Sequence, residues 1–387
     1  MIGSRAFRLP PTLHFGENAS SEVGPEAKRL GAGKALLMTD KVLMGAGIIE
    51  PVIESVKKAG LALEIFDGVN AEPTLSHVQQ GLDLFRAKGC DILLAVGGGS
   101  PIDAAKGVSV ICTNPGKIQD YMGLGKITNA GVPLIAVPTT AGTGSEATLF
   151  TIITDTDKNV KMLIGSPACM PAVALVDPLL TVKMPRGITA ATGLDALIHA
   201  IEAYVSVKAQ PMSDVMCLSA IRLLSEYLPQ AWANPDNIEA RSQTMLGALQ
   251  AGIGFCNSSV ALVHGMSRPI GANFHVAHGI SNATLLGVVM DFSLMGAPRR
   301  YADIARAMGV AGHGLSPVEA AQRGADEVKR LVKQLEVPSL SALGVTREKL
   351  EPVVSKMADD AIASGSPGNN PRKATKEEII DLYYAAL

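Results

Sequence analysis

The chain has 387 residues, of which 47% are hydrophobic and 18% are charged, and it carries a formal net charge of −2. This length exceeds one ordinary hydrophobic core and predicts about two domains with a cleft between them. The composition excludes a disordered chain, and the near-neutral charge argues against a nucleic-acid partner. Glycine breaks the apolar runs far short of the ~20 residues that a membrane span needs, so we expect no membrane segment.

The N-terminal residues and the cysteines favour a cytoplasmic protein. Residues 1–8 lack the apolar run of a secretory signal. The five cysteines are scattered, odd in number and without a Cys-x-x-Cys pair, so we interpret them as buried small hydrophobic residues. No thiolate metal site is therefore expected.

Short apolar runs alternate with helical patterns through the first half of the chain. The predicted strands are 34–39, 62–66, 91–96, 133–137 and 172–176, and the predicted helices between the first of them are 49–59 and 75–88. Strands that alternate with helices of this length predict βαβ units and a largely parallel sheet, buried on both faces.

Two loops rich in small residues follow strands of this half. The first, Gly97-Gly-Gly-Ser-Pro, leads into a helix in which Pro101 suits the first position. Such a turn exposes backbone N–H groups to a pyrophosphate, although a tight turn that binds nothing can have the same composition, and the motif is neither Gly-x-Gly-x-x-Gly nor a P-loop. A second loop, 138–146, is rich in hydroxyl groups. Two such loops at strand ends favour a bound dinucleotide.

Asp40 ends the first predicted strand, in Met38-Thr-Asp-Lys41. A carboxylate there accepts hydrogen bonds from a ribose and repels a 2′-phosphate, which favours NAD over NADP. A helix N-cap explains the same residue equally well. We therefore assign residues 1–184 to a dinucleotide-binding α/β domain with a Rossmann-like parallel sheet.

The second half is predicted to be all helical. Strand patterns stop near residues 183–187, and helical periodicity follows at 192–206, 214–228, 238–254 and 317–335. We assign residues 185–387 to an all-α domain, with a surface loop at 364–371.

Four residues of the helical half suggest a divalent metal site. Asp195 and His199 are four residues apart, so on a helix their side chains leave one face about 6 Å apart at Cβ. His264 and His278 each precede a glycine, and four of the seven histidines lie between residues 199 and 278. A lone histidine is better explained as a hydrogen-bonded core residue, but this clustering favours a metal.

These segments together resemble the iron-containing (group III) alcohol dehydrogenase family over essentially the whole chain. The resemblance rests on four motifs, at 97–106, 138–146, 191–202 and 263–279, and is strongest toward members of the lactaldehyde reductase and propanediol oxidoreductase type. It implies the fold shared with dehydroquinate synthase, an α/β domain followed by an all-α domain. It also implies hydride transfer between NAD(H) and a small primary alcohol or its aldehyde.

The resemblance further implies which residues bind the cofactors. Fe(II) or Zn(II) would be held by Asp195, His199, His264 and His278. The dinucleotide would be contacted by Asp40, Gly97, Gly98, Gly99, Ser100, Asp103, Thr139, Thr140, Thr143, Lys161 and Leu180. A homodimer is implied as well, formed through an N-terminal strand that residues 4–9 would supply.

The chain departs from the family four residues after His264. Many relatives carry there a second histidine suited to proton relay, but this chain has Arg268. We treat His275 as a candidate for proton transfer and Arg268 as a candidate for binding an anionic substrate group, with a structural ion pair as the alternative for Arg268.

Phe150, Phe255 and Asn257 are predicted to line the substrate pocket, although Phe255 also suits simple core packing. Phe150 replaces a polar residue of lactaldehyde-type enzymes, which argues against a diol substrate.

Other functions fit less well. A lyase of the dehydroquinate synthase type would need several basic residues near the metal motifs, and the helical half offers few. A reductase of an anionic aldehyde or keto substrate would depend on Arg268. A non-catalytic NAD-binding scaffold would not need four metal ligands, and a serine hydrolase would need a Gly-x-Ser-x-Gly turn, which the sequence lacks.

Overall fold

The computed structural model describes residues 3–70, 72–158 and 160–387. Its contacts divide the chain into two compact units. One is the continuous stretch Leu9–Lys183, and the other joins Met184–Leu387 to the residues that end at Arg8.

The unit Leu9–Lys183 is an α/β structure. Its strands are β1 (Thr12–Phe15), β2 (Lys34–Met38), β3 (Ala62–Phe66), β4 (Ile92–Gly97), β5 (Gly123–Leu124), β6 (Leu134–Pro138), β7 (Phe150–Asp155), β8 (Val160–Gly165) and β9 (Val173–Val176). Six of them form a parallel sheet in the order β1-β9-β6-β4-β2-β3. The predicted parallel sheet is confirmed, and all five predicted strands belong to it.

Helices cover both faces of this sheet. They are α1 (Val23–Arg29), α2 (Lys41–Gly45), α3 (Glu50–Lys58), α4 (Leu75–Ala87) and α5 (Gly99–Thr113). Along β4, Leu93 and Ala95 pack into the core that includes α4 and α5, whereas Ile92, Leu94 and Val96 pack into the core that includes α1 and α3. Burial on both faces explains why β4 is an unbroken apolar run.

Four strands were not predicted from the sequence. β1 has only four residues, and it pairs with β9 at one end of the large sheet. β7 and β8 form an antiparallel pair that β5 extends into a separate three-stranded sheet. Residues of β7 alternate between buried and more exposed positions, so the apolar signal of this sheet is weaker.

The second unit is helical. Its helices are α6 (Arg186–Val205), α7 (Pro211–Ala233), α8 (Ile238–Ser258), α9 (Leu262–Phe274), α10 (His278–Ser293), α11 (Pro298–Ala307), α12 (Pro317–Gln334), α13 (Arg347–Leu350), α14 (Val354–Ala363) and α15 (Lys376–Ala385). Fifteen of the twenty residues of α6 are buried, because α7, α8 and α10 pack around it. The predicted all-α half is confirmed.

The stretch His278–Gly296 is long and apolar enough to cross a membrane by length and composition alone. Half of it is buried inside the protein, where it packs against α6, α9 and α12. A core helix passes the same test, so its packing accounts for its apolar composition.

Two segments of the helical unit differ from the sequence-based expectations. The segment 364–371 is not a surface loop, because Ser366, Pro367, Asn369 and Asn370 are buried. Asn369 donates to the carbonyl oxygen of Val260, and Pro367 packs tightly against α9. Residues 4–9 form no strand among the described residues.

Candidate active site

Asp195 and His199 lie on the buried helix α6, as their spacing predicted. They are 4% and 6% exposed, and His199 Nδ1 is 4.0 Å from Asp195 Oδ2. The His199 ring stacks on Phe255 from α8 at 4.2 Å and on His264 from α9 at 4.5 Å between ring centroids. These stacks hold the imidazole in one orientation beside the carboxylate.

His264 is oriented by Glu202, a third residue of α6 on the same face as Asp195. Its Nδ1 lies 2.6 Å from Glu202 Oε2, and the same carboxylate accepts hydrogen bonds from the backbone N–H groups of Ala261 and Val263 at the start of α9. A carboxylate that accepts from Nδ1–H fixes the tautomer, so Nε2 keeps its lone pair. That Nε2 is 3.7 Å from Asp195 Oδ1.

His278 begins α10 and completes the group. Its Nε2 is 3.9 Å from Asp195 Oδ1, and 41% of its side-chain surface is exposed, whereas the other three side chains are buried. Desolvation, together with the nearby His264, His199 and Arg268, lowers the pKa of His278, and Asp195 opposes this shift. The imidazole therefore stays neutral and keeps a lone pair.

The arrangement fits a divalent cation. One ligand atom from each of Asp195, His199 and His264 can be chosen so that all three lie within 4.8 Å of one another. Three imidazoles and one carboxylate without thiolate suit Fe(II) or Zn(II). His278 forms the solvent-exposed edge of this group.

The structure places Arg268 near the candidate ligands and His275 at a separate cavity. Arg268 lies one turn after His264 and donates to Ser366 Oγ at 3.4 Å. His275 ends α9 in a left-handed conformation with φ of 56° and is exposed. It lines a cavity of about 550 Å³ with Phe274 and Lys349, and none of the four candidate ligands borders that cavity.

The three predicted pocket residues lie in different surroundings. Phe255 is half-buried and stacks on His199, so it lies beside the candidate metal ligands. Asn257 accepts a hydrogen bond from the backbone N–H of Arg8 and donates to its carbonyl oxygen, so its amide anchors the N-terminal segment. Phe150 begins β7 in the α/β unit, where its carbonyl oxygen accepts from Lys106 Nζ.

The two loops predicted to hold a dinucleotide lie side by side. They follow the neighbouring strands β4 and β6, and the N–H of Thr139 donates to the carbonyl oxygen of Gly97 at 2.9 Å. A Cβ on Gly99 would come within 3.0 Å of the Thr143 side chain, and one on Gly98 would lie 3.5 Å from Thr140. Glycine therefore allows the close approach of the two loops at the N-terminus of α5.

Thr140 and Ser100 leave polar groups available to a ligand at these loops, whereas Asp103 connects one loop to a neighbouring strand. Thr140 Oγ1 is buried and has no hydrogen-bond partner within the described part of the chain. Asp103, by contrast, accepts from Ser145 Oγ and from the backbone N–H of Ile152, so its carboxylate joins the second loop to β7. Ser100 lies in the first turn of α5, where the backbone N–H groups free of helical partners could bind an anion.

The remaining dinucleotide candidates have partners within the protein. Asp40 caps α2 by accepting from the N–H of Leu43, which is the alternative left open by the sequence. Lys161 Nζ pairs with Glu72 at 2.5 Å. Leu180 is 6% exposed and packs in the core beside the sheet.

Two residues of the site were missed by the sequence analysis, Glu202 and Asn282. Glu202 follows Asp195 by seven residues, a helical repeat that places both on one face. Asn282 follows His278 by four residues, and its amide nitrogen lies 2.6 Å from Asp195 Oδ1. Helical spacing from an assigned ligand could have found both.

Comparison with known proteins gives consistent matches across both units. Residues 10–178 match the family described as iron-containing alcohol dehydrogenase, and residues 189–387 match the C-terminal part of the Fe-containing alcohol dehydrogenase family. The NAD-dependent methanol dehydrogenase of Bacillus methanolicus is 40% identical over 382 residues, which are 98% of this chain and 99% of that protein.

Two further proteins are similar over their full lengths. The lactaldehyde reductase of Escherichia coli (strain K12) is 38% identical over 381 residues, 98% of each chain. A crystal structure of a 1,3-propanediol oxidoreductase matches with a TM-score of 0.96 at 39% identity, covering 99% of this chain and 100% of the other.

Proposed function

This chain belongs to the iron-containing alcohol dehydrogenase family, and on that premise we propose that Asp195, His199, His264 and His278 hold the metal with which it oxidises small primary alcohols. It is an NAD-dependent oxidoreductase that interconverts alcohols and aldehydes, as the sequence predicted. The lyase and anionic-substrate alternatives are not favoured.

The convergence of three imidazoles and one carboxylate, three of these four side chains buried, carries the proposal. A bound divalent cation supplies a Lewis acid for the alcohol oxygen, and a nicotinamide supplies the hydride acceptor. The protein orients the ligands: Phe255 packs on His199, and Glu202 holds the proton of His264 on Nδ1. The exposed edge at His278 leaves room for a small substrate.

The test is NADH formation from a series of C1 to C4 alcohols, with NAD and NADP in parallel and with metal analysis of the same sample. The variant His264→Ala should lose both bound metal and turnover, because it removes a central ligand. The matched variant His313→Ala changes an exposed histidine of the same unit and should keep both. Turnover by His264→Ala at the unaltered rate would refute the ligand assignment.

The substrate is proposed to be a small primary alcohol without a second hydroxyl group. Relatives are named for methanol, 1,3-propanediol and lactaldehyde, which supports a short chain. One of these substrates is a diol, so the preference for a single hydroxyl group rests on Phe150 alone. Phe150 is predicted to line the pocket, and a phenyl ring there would offer no hydrogen bond to a second hydroxyl group. Faster turnover of 1,2-propanediol than of 1-propanol would contradict this preference.

We also propose a cytoplasmic homodimer in which residues 4–9 pair with those of a second copy. Support comes from the exposure of this segment, which is held to the helical unit by Arg5 and Arg8 and leaves Leu9 45% exposed. Sedimentation of the protein and of a variant that lacks residues 3–9 tests the proposal, and a dimer unaffected by the deletion contradicts it.

A further inference from the structure

Asn282 is a buried amide at the centre of the proposed ligand group. It lies on α10 one turn after His278 and is 0% exposed. Its Nδ2 is 2.6 Å from Asp195 Oδ1, 3.2 Å from His264 Nε2 and 3.1 Å from His278 Nε2. Three of the four proposed ligands therefore converge on one nitrogen atom.

The orientation of this amide follows from its neighbours. With the amide turned over, Oδ1 would lie beside Asp195 Oδ1, and two acceptors at that distance repel each other. Nδ2 therefore faces the carboxylate and donates to it. Since an amide nitrogen has two protons, it cannot fully satisfy three acceptors. Asn282 Oδ1, on the opposite side, is buried without a hydrogen-bond partner among the described residues.

The hydrogen bonds of Asn282 and a metal cation need the same lone pairs. The lone pair on Nε2 of His264 is available because Glu202 holds the proton on Nδ1. A neutral imidazole has one lone pair in its plane, and it cannot accept an amide proton and bind a cation at once. Amide and cation must therefore compete for His264 and for His278.

We propose that Asn282 is a positioning residue that holds Asp195, His264 and His278 together through its amide protons and gives up its bonds to the two histidines when the cation binds. This inference rests on the proposed function, because it takes these three residues as ligands. The inference predicts two effects: Asn282 stabilises the folded protein when no metal is bound, and Asn282 lowers the affinity of the protein for metal.

The experiment compares Asn282→Ala with the wild-type protein after chelator treatment and after saturation with Zn(II). The melting temperature should fall further in the chelated form than in the saturated form. The dissociation constant for Zn(II), measured by competition with a chromogenic chelator, should fall by roughly 5- to 30-fold, because the cation no longer displaces one or two hydrogen bonds of about 1 kcal/mol each.

The matched control is Asn370→Ala, which removes an equally buried amide of the same unit. Asn370 is 3% exposed and donates to Ser293 Oγ and to the carbonyl oxygen of Arg372, away from the ligands. This variant should lower both melting temperatures equally and leave the dissociation constant unchanged. If Asn282→Ala does not fold, Asn282→Ser, which keeps one donor, should still bind Zn(II) more tightly than the wild type does.

Two results would overturn the inference. Weaker Zn(II) binding by either variant would mean that Asn282 supports the metal, for instance as a ligand through Oδ1. Equal melting shifts with an unchanged dissociation constant would make Asn282 an ordinary core amide. The His264→Ala variant separates the two proposals. If it retains metal, the ligand assignment is wrong. If it loses metal while Asn282→Ala leaves the dissociation constant and the difference in melting temperature unchanged, only the inference about Asn282 is wrong.

Discussion

The carboxylate of Glu202 has two structural roles. It accepts from the first N–H groups of α9 and from Nδ1 of His264, so it fixes the start of a helix and the tautomer of an imidazole together. The position of His264 relative to Asp195 therefore depends on a residue that is not itself one of the four proposed ligands.

The variant Glu202→Gln tests this role. A glutamine can still accept from one backbone N–H, but its neutral oxygen holds the Nδ1 proton less strongly. We expect metal affinity to fall by roughly 10- to 100-fold, measured by chelator competition. The control Asp214→Asn breaks a salt bridge with Arg300 in the same unit and should leave metal affinity intact. Full affinity in Glu202→Gln would argue against any role in orienting the ligand.

Glu146 gives the α/β unit a pH-dependent contribution to stability. Burial raises the pKa of this carboxyl to about 7, although the charge of Lys106 opposes the shift. Because the folded protein favours the protonated form, the contribution is complete below the unfolded pKa of 4.5 and is lost as pH rises through about 7. The loss amounts to about 3 kcal/mol.

Replacing the carboxyl by a neutral amide in Glu146→Gln should remove this dependence. Urea unfolding of the variant and the wild type from pH 5 to pH 8 should show the variant gaining relative stability with rising pH. Parallel stability curves would mean that Glu146 titrates alike in the folded and unfolded chain.

At the scale of elements, α6 depends on close contact with α7. Gly193 lies two residues before Asp195 on α6, and a Cβ at this position would lie 2.3 Å from Leu228 Cδ1 on α7. The absence of a side chain at Gly193 therefore lets the two helices approach where the ligand helix needs support.

We expect Gly193→Ala to lower the free energy of unfolding by about 1–3 kcal/mol through overpacking. The matched change Gly187→Ala lies on the same helix with nothing within 4 Å of its Cβ, and it should be neutral or stabilising by up to about 1 kcal/mol. Denaturant unfolding of both variants measures the difference. Equal effects would mean that helix propensity, not the contact with Leu228, decides the outcome.

Elements with strong periodic patterns were predictable and those defined by packing were not. The β4 run is apolar throughout because both faces are covered, and α6 shows helical spacing in Asp195 and His199. The pair β7–β8 has a weaker pattern because it belongs to a small separate sheet. Glu202 and Asn282 meet the ligands only through the packing of α6, α9 and α10, which the sequence does not display.

At the scale of the whole molecule, the two proposed ligand sets belong to different units. The four proposed metal ligands all lie in the helical unit, and the two loops that follow β4 and β6 lie in the α/β unit. Each ligand should therefore stabilise its own unit first.

Hydrogen exchange measured by mass spectrometry can resolve this division. Adding Zn(II) to chelated protein should slow exchange in peptides from α6, α9 and α10, and adding NAD should slow exchange at 97–108 and 138–146. Protection by Zn(II) alone that extends equally over both units would contradict the expected division.

The α/β unit is one continuous stretch of chain, whereas the helical unit uses residues on both sides of it. Arg5 and Arg8 come before the α/β unit, yet they bind Lys208, Ala209 and Asn257. During translation the α/β unit can leave the ribosome and begin to fold before the partners of these two arginines have emerged. The half predicted to bind the coenzyme can therefore fold earlier, because the first proposed metal ligand, Asp195, is synthesised only after that half is complete.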